Sequence, residues 1–303
     1  MKKLRPALTL VEVLMVITII GLLIALILPA VQGARESARR TQCGSNLRQI
    51  GLAIGSFESV RRRLPPSSTD PVVDGVWNWQ EIPSSVLHGW ATRLLPFLEE
   101  SALHAIIDPK QSAFHSSNSS AAATVVAIYR CPSFSGTGFA TDALYIDLKS
   151  PFAIRNYVAL GATTAGLLYW EPGFQTASTQ DGSIFPQSET RLKEITDGLS
   201  HTIVLSETIE QNAAAWIDGS TASITSRRVD SNNAPSYSGP DIALNYVPYY
   251  RYGGGQSIDM EYGPSSAHAG FVAQLLADGS VSFLSDATPP QLYDAFVTRA
   301  GAD

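Results

Sequence analysis

The chain reads as an α+β protein in which one long N-terminal helix packs on an antiparallel sheet with elaborated loops. Three observations predict this. Residues Leu8 to Leu28 form a run of 21 in which Glu12 is the only charge, and helical periodicity continues beyond it to about residue 60. From Trp77 onward, short apolar runs alternate with Gly, Pro, Ser, Asn and Asp clusters, the punctuation of strands and turns. With 45% hydrophobic and only 16% charged residues, the composition suits a packed, loop-rich body and not a disordered tail.

At about 1.5 Å per residue, a helix over 8–28 spans the ~30 Å hydrocarbon layer of a membrane. Lys2, Lys3 and Arg5 stand just before it. Basic residues beside a span favour the cytoplasmic side, so the N-terminus is expected inside and the body outside. A secretory signal peptide is the competing reading. Its apolar core usually runs ~7–15 residues, shorter than this one, although Ala30, Gly33 and Ala34 offer small residues for cleavage. Both readings place the body outside the cytoplasm. Glu12 is costly in this setting, about 2.5–3.5 kcal/mol on insertion scales. Either a partner neutralises it, or it snorkels back to the headgroups from its place near the helix start. Pro29 either bends the helix or ends the span.

Past the span, Leu47, Ile50, Ile54 and Phe57 recur at three- and four-residue spacing, an apolar stripe that should pack under the body. Arg39, Arg40, Gln42, Asn46, Arg48 and Gln49 fall mainly on the other faces, and Gly44, Gly51 and Gly55 weaken the helix. Leu64-Pro65-Pro66 ends it. Near the C-terminus, Phe271 to Leu276 and Ser280 to Leu284 flank Asp278-Gly279, a strong hairpin signal. Thr288 before Pro289-Pro290 predicts a short, threonine-capped closing helix.

Charge divides the chain. Residues 1–63 carry ten Lys/Arg against three Glu, whereas the remainder carries 11 basic and 24 acidic residues. A body this acidic does not bind nucleic acid electrostatically. The five histidines, His88, His104, His115, His201 and His268, lack the spacing of a zinc motif, so no metal site or cofactor is read from the sequence, and a metal site would have to assemble in space. There is no Gly-x-Ser-x-Gly elbow, P-loop or dinucleotide fingerprint. The acid pairs Glu99-Glu100 and Glu207 with Glu210 read as solvated surface charge. No catalytic residue is assigned. Cys43 and Cys131, in a chain facing an oxidising compartment, either form a disulfide tying helix to body or remain two buried thiols.

Pro6-Ala7-Leu8-Thr9-Leu10-Val11-Glu12, after basic residues and before the apolar run, resembles the cleavage and methylation signal of type IV prepilins and type II secretion pseudopilins. The resemblance implies cutting by prepilin peptidase at Ala7–Leu8 and methylation of the new terminus. It also implies a pairing of Glu12 with the amine of a neighbouring subunit during assembly. Ala7 and Leu8 depart from the commoner Gly and Phe. His268, nine residues, then Asp278-Gly279 is similar to the C-terminal signature of a bacterial pseudopilin-like family, domain of unknown function 1559. Stretches 39–53, Gly89-Trp90, 95–99, Cys131-Pro132-Ser133, Asn156-Tyr157-Val158 and 195–202 agree with it, although His201 stands where the family more often has Asn. From the residues themselves, Asp278 belongs to a turn and His268 to a hydrogen bond with a neighbouring loop, or both to a ligand site.

The expected organisation is a leader, 1–7, an N-terminal helix, 8–60, whose residues 8–28 cross the bacterial inner membrane, and an extra-cytoplasmic body, 61–303. The resemblance implies a pilin-like fold and a structural role, with prepilin peptidase, other pilin or pseudopilin subunits and membrane lipid as partners. The rival is an uncleaved, tethered domain that binds or hydrolyses an envelope ligand. A polar pocket joining His268 to acidic side chains would favour that rival.

Overall fold

The computed structural model describes residues 10–72, 86–163, 168, 180–226, 243–245 and 263–301. Ala7, Leu8 and the Trp77 region lie outside them. The chain begins with α1, Leu10–Arg61, 52 residues that run through Pro29 without a break. The proline therefore does not end this helix. Arg62 does: it takes a left-handed φ of 59° while its amide still donates to the Glu58 carbonyl at 2.6 Å, and Pro65-Pro66 follow.

The two halves of α1 differ sharply. Its apolar side chains from Leu10 to Leu28 are exposed. Cys43, Asn46, Leu47, Ile50, Gly51, Ala53, Ile54 and Phe57 are buried. Each large apolar member of that stripe is stabilised by roughly 1.5–3 kcal/mol relative to exposure. Asn46 and Arg40 do not stay on the outer faces, as the periodicity suggested. Asn46 is buried and donates to the Arg130 carbonyl at 2.8 Å, and the Arg40 guanidinium lies 4.5 Å and 4.4 Å from the Phe271 and Phe283 rings. Polar groups can join a core face once a carbonyl or an aromatic face is there to meet them.

Among the described residues, short helices follow: α2, Trp90–Leu94, α3, Ser101–Ala105, α4, Ser119–Ala122, and α5, Ala143–Asp147. Trp90 is fully buried, stacks edge-on with Tyr129 at 5.6 Å and donates from Nε1 to the Ala222 carbonyl at 3.1 Å. The sheet comprises β1, Tyr157–Ala162, β2, Ile203–Glu207, β3, Ser223–Thr225, β4, Phe271–Leu276, and β5, Val281–Ser285, in the order β3-β1-β2-β4-β5. Three of its pairings are antiparallel, but β3 runs parallel to β1. The expectation of a purely antiparallel sheet is thus corrected. Only a tight hairpin forces antiparallel pairing, and β3 reaches the edge beside β1 by a long connection from β2.

Every residue of β1 and β2 is buried, because both faces of the sheet are covered. Tyr157 and Ala159 face the cluster under α1, while Val158 and Leu160 face the cluster under α6, Pro290–Val297. The β4–β5 hairpin turns at Gly279, φ +83°, and Asp278 accepts the Ser280 amide at 2.8 Å. Thr288 is not the cap of α6. That position is Pro289, and the Thr288 hydroxyl donates instead to the Ser285 carbonyl at 2.6 Å, closing the turn after β5.

Candidate functional site

The body half of α1 presents Glu36 and Cys43 on one face, seven residues or two helical turns apart. Opposite them, three segments converge. The first carries Cys131 and Ser133, and Asn156 positions it: the Asn156 side chain accepts the Cys131 amide at 3.1 Å and donates to the Thr208 carbonyl at 3.2 Å. The second is the end of β2, where Glu207 sits 1% exposed. The third leads into β4; Ser265 donates its amide to the Glu207 carbonyl at 3.0 Å, and Ser266 accepts the His268 amide at 3.0 Å. Side chains from distant parts of the chain thereby meet in one place, with Cys43, Cys131, Glu207 and His268 buried and Glu36 half-exposed beside them.

Cys43 and Cys131 form a disulfide with Cα atoms 5.1 Å apart. The Tyr157 hydroxyl donates to the Cys43 carbonyl at 3.2 Å. His268, 3% exposed, lies between two carboxylates and the sulfurs. Its Nδ1 is 2.6 Å from Glu36 Oε1, and its Nε2 is 3.5 Å from Cys131 Sγ and 3.8 Å from Glu207 Oε1. Burial tends to raise the Glu36 carboxyl, but hydrogen bonds from His268, Arg39 and Ser133 hold it below the ordinary range. As an ionised acceptor it requires the proton on Nδ1, so in the neutral ring Nε2 carries the lone pair. Glu207 is the opposite case. Burial pushes it up to about 7, against the lowering effect of Ser266 and the Ala273 amide.

The atoms that Cys43, Cys131, Glu207 and His268 could offer to a metal all lie within 4.8 Å of one another, and all four residues are buried. Glu36 stands behind the imidazole in the way a carboxylate orients a ligating histidine.

The chain belongs to the family described as protein of unknown function (DUF1559). The family model matches residues 32–291. No curated protein and no solved structure matches the chain. The matched region begins just before Glu36 and takes in the whole cluster. Three of the motifs quoted for DUF1559 meet at this site: the helix segment 39–53, Cys131-Pro132-Ser133 and Asn156-Tyr157-Val158. A further one, His268 with Asp278-Gly279, is split. His268 is in the cluster, whereas Asp278 and Gly279 form the turn at the far end of β4, where a Cβ on Gly51 would lie 3.4 Å from Gly279. His268 and Gly279, which flank β4, are thus both seated on α1, against residues about 22 Å apart along the helix axis. His268 meets a helix residue, Glu36, through Nδ1 as well as the loop residue Cys131 through Nε2.

Two residues went unread in the sequence. Glu36 was passed over although it lies on the face of Cys43, Leu47, Ile50 and Ile54, where a lone acid is a signal. Glu207 was counted as solvated, but β2 is a central strand with both faces covered. The other sites stay apart: His88 bonds the Gln111 carbonyl at 3.0 Å, His115 bonds Ser117, and Glu12 is exposed in the first turn of α1.

Proposed function

We propose that the chain is a membrane-anchored, pilin-like structural subunit of the bacterial envelope, held by α1 with its body on the extra-cytoplasmic side. The observation that carries this reading is the division of α1. One stretch of it is long and apolar enough to cross a membrane, and none of that stretch is buried against the body. An exposed apolar surface of this size calls for lipid or for like helices around it. Residues 1–7 act as a leader removed by prepilin peptidase between Ala7 and Leu8, and Glu12 pairs with the freed amine of a neighbouring subunit, which offsets its desolvation. The body works by binding, without catalysis.

The test is peptide mass spectrometry on membrane fractions of the native host. The expected chain begins at N-methylated Leu8. A chain still carrying an intact Ala7–Leu8 bond overturns processing and leaves the second reading, an uncleaved tethered domain. That reading has one observation in its favour, the joining of His268 to Glu36 and Glu207.

A further inference from the structure

We propose that the reduced chain binds one zinc-class divalent cation between Cys43, Cys131, Glu207 and His268, so that the disulfide and the metal are alternative clasps for the junction of α1 with the body. The proposal stands independently of processing at Ala7–Leu8.

The donor set is the argument. Two thiolates, an imidazole and a carboxylate form a mixed set that zinc accepts in tetrahedral geometry. With bonds of about 2.0–2.3 Å, such an ion holds its ligand atoms roughly 3.3–3.8 Å apart. His268 Nε2 already stands 3.5 Å from Cys131 Sγ and 3.8 Å from Glu207 Oε1. Glu36 fixes Nδ1–H at 2.6 Å, which turns the Nε2 lone pair toward the sulfurs and orders the ring as a second carboxylate does behind a zinc-bound histidine. All four ligand residues are buried, so an ion there would be shielded from competing water. Their placement is rigid: Cys43 lies within a helix, Glu207 ends a central strand, and Cys131 is tied through Asn156.

The two states exclude each other because sulfurs bonded to one another cannot both serve as thiolate ligands. Reduction by a trialkylphosphine breaks the S–S bond with two electrons. The phosphine takes oxygen from water to become its oxide, and the two protons of that water end on the sulfurs. The incoming cation then displaces both thiol protons to solvent.

The full chain in detergent micelles is titrated with cobalt(II), first with the disulfide intact and then after phosphine reduction. The expected result is one cobalt per reduced chain, with thiolate-to-cobalt charge-transfer absorption and the intense visible bands of a tetrahedral ion. Zinc should bleach both, and the oxidised chain should show neither. In the reduced chain, Glu207→Gln and His268→Gln should each weaken cobalt at least tenfold, and Glu36→Gln should weaken it less. If reduction loosens the fold, circular dichroism should show stoichiometric zinc restoring it. Octahedral cobalt without charge-transfer bands, equal binding to the oxidised chain, or reduced chain that zinc leaves unfolded would each overturn the proposal.

Discussion

Glu36 and His268 meet across 232 positions of sequence, and their contact makes the junction of helix and sheet directional as well as apolar. A hydrogen bond to a charged group contributes about 1.5–3 kcal/mol when buried and less where one partner is half-exposed, as Glu36 is. A double-mutant cycle of Glu36→Gln with His268→Gln, read by urea unfolding of the disulfide-intact chain, should give a coupling of about 1 kcal/mol. Strict additivity would assign the junction to packing alone. Asp218 offers a pH test away from this site. It is fully buried, accepts from Tyr145 Oη at 2.6 Å and from the Ser220 amide at 2.7 Å, and has Thr221 and Arg155 nearby. Burial raises it above 3.8 in spite of these partners. The folded state therefore holds this proton to higher pH than the unfolded state, and stability falls as pH rises from 3.8 through the raised value. Asp218→Asn should flatten the slope of Tm against pH over that window; an unchanged slope would show that Asp218 does not titrate there. Only the place of Glu36 on the face of Cys43 was legible in the sequence. An acid two turns ahead of a cysteine shows its purpose only when the opposing loop is known.

The glycines of α1 show the element scale clearly. Gly44, Gly51 and Gly55 all read as helix weakeners, yet the sheet uses two of them. A Cβ on Gly44 would meet Phe283 at 3.2 Å, and one on Gly51 would meet Leu275 Cδ1 at 2.8 Å, while Gly55 has open space. Gly51→Ala should therefore destabilise the body by about 1–3 kcal/mol, since the Leu275 side chain, itself fully buried, must shift to clear the new methyl. Gly55→Ala should stabilise it by roughly 0.5–1 kcal/mol through helix propensity. Thermal melts of the two variants should move in opposite directions, and a matching shift would dismiss close approach as the reason for Gly51. The hairpin and the apolar stripe were readable because their signals are local: a turn pair at Asp278-Gly279 and a spacing of three and four. The parallel placement of β3 was not, since no residue near Ser223–Thr225 encodes which edge it joins.

For the whole molecule, the Cys43–Cys131 bond closes a loop with a sequence separation of 88. In the chain-entropy model this contributes about 4.6 kcal/mol. In metal-free buffer, phosphine reduction should lower the urea midpoint cooperatively, and a midpoint that does not move would mean the junction holds without the bond. The division of α1 carries its own test. The buried residues of α1 begin at Cys43, so a chain starting at Gln32 should elute as a single species without detergent and melt like the full chain; aggregation would show that the apolar half also packs on the body. The N-terminal apolar run, the stripe of α1, the terminal hairpin and the membership of a family could all be read along the chain. They depend on hydropathy, period and turn chemistry, which act between near neighbours. The meeting of half-exposed Glu36 with the buried Cys43, Cys131, Glu207 and His268, the seating of both flanks of β4 on one helix, and the direction of β3 were decided only by tertiary structure. Contacts across tens to hundreds of residues follow from how the packed layers close, and no local pattern records that.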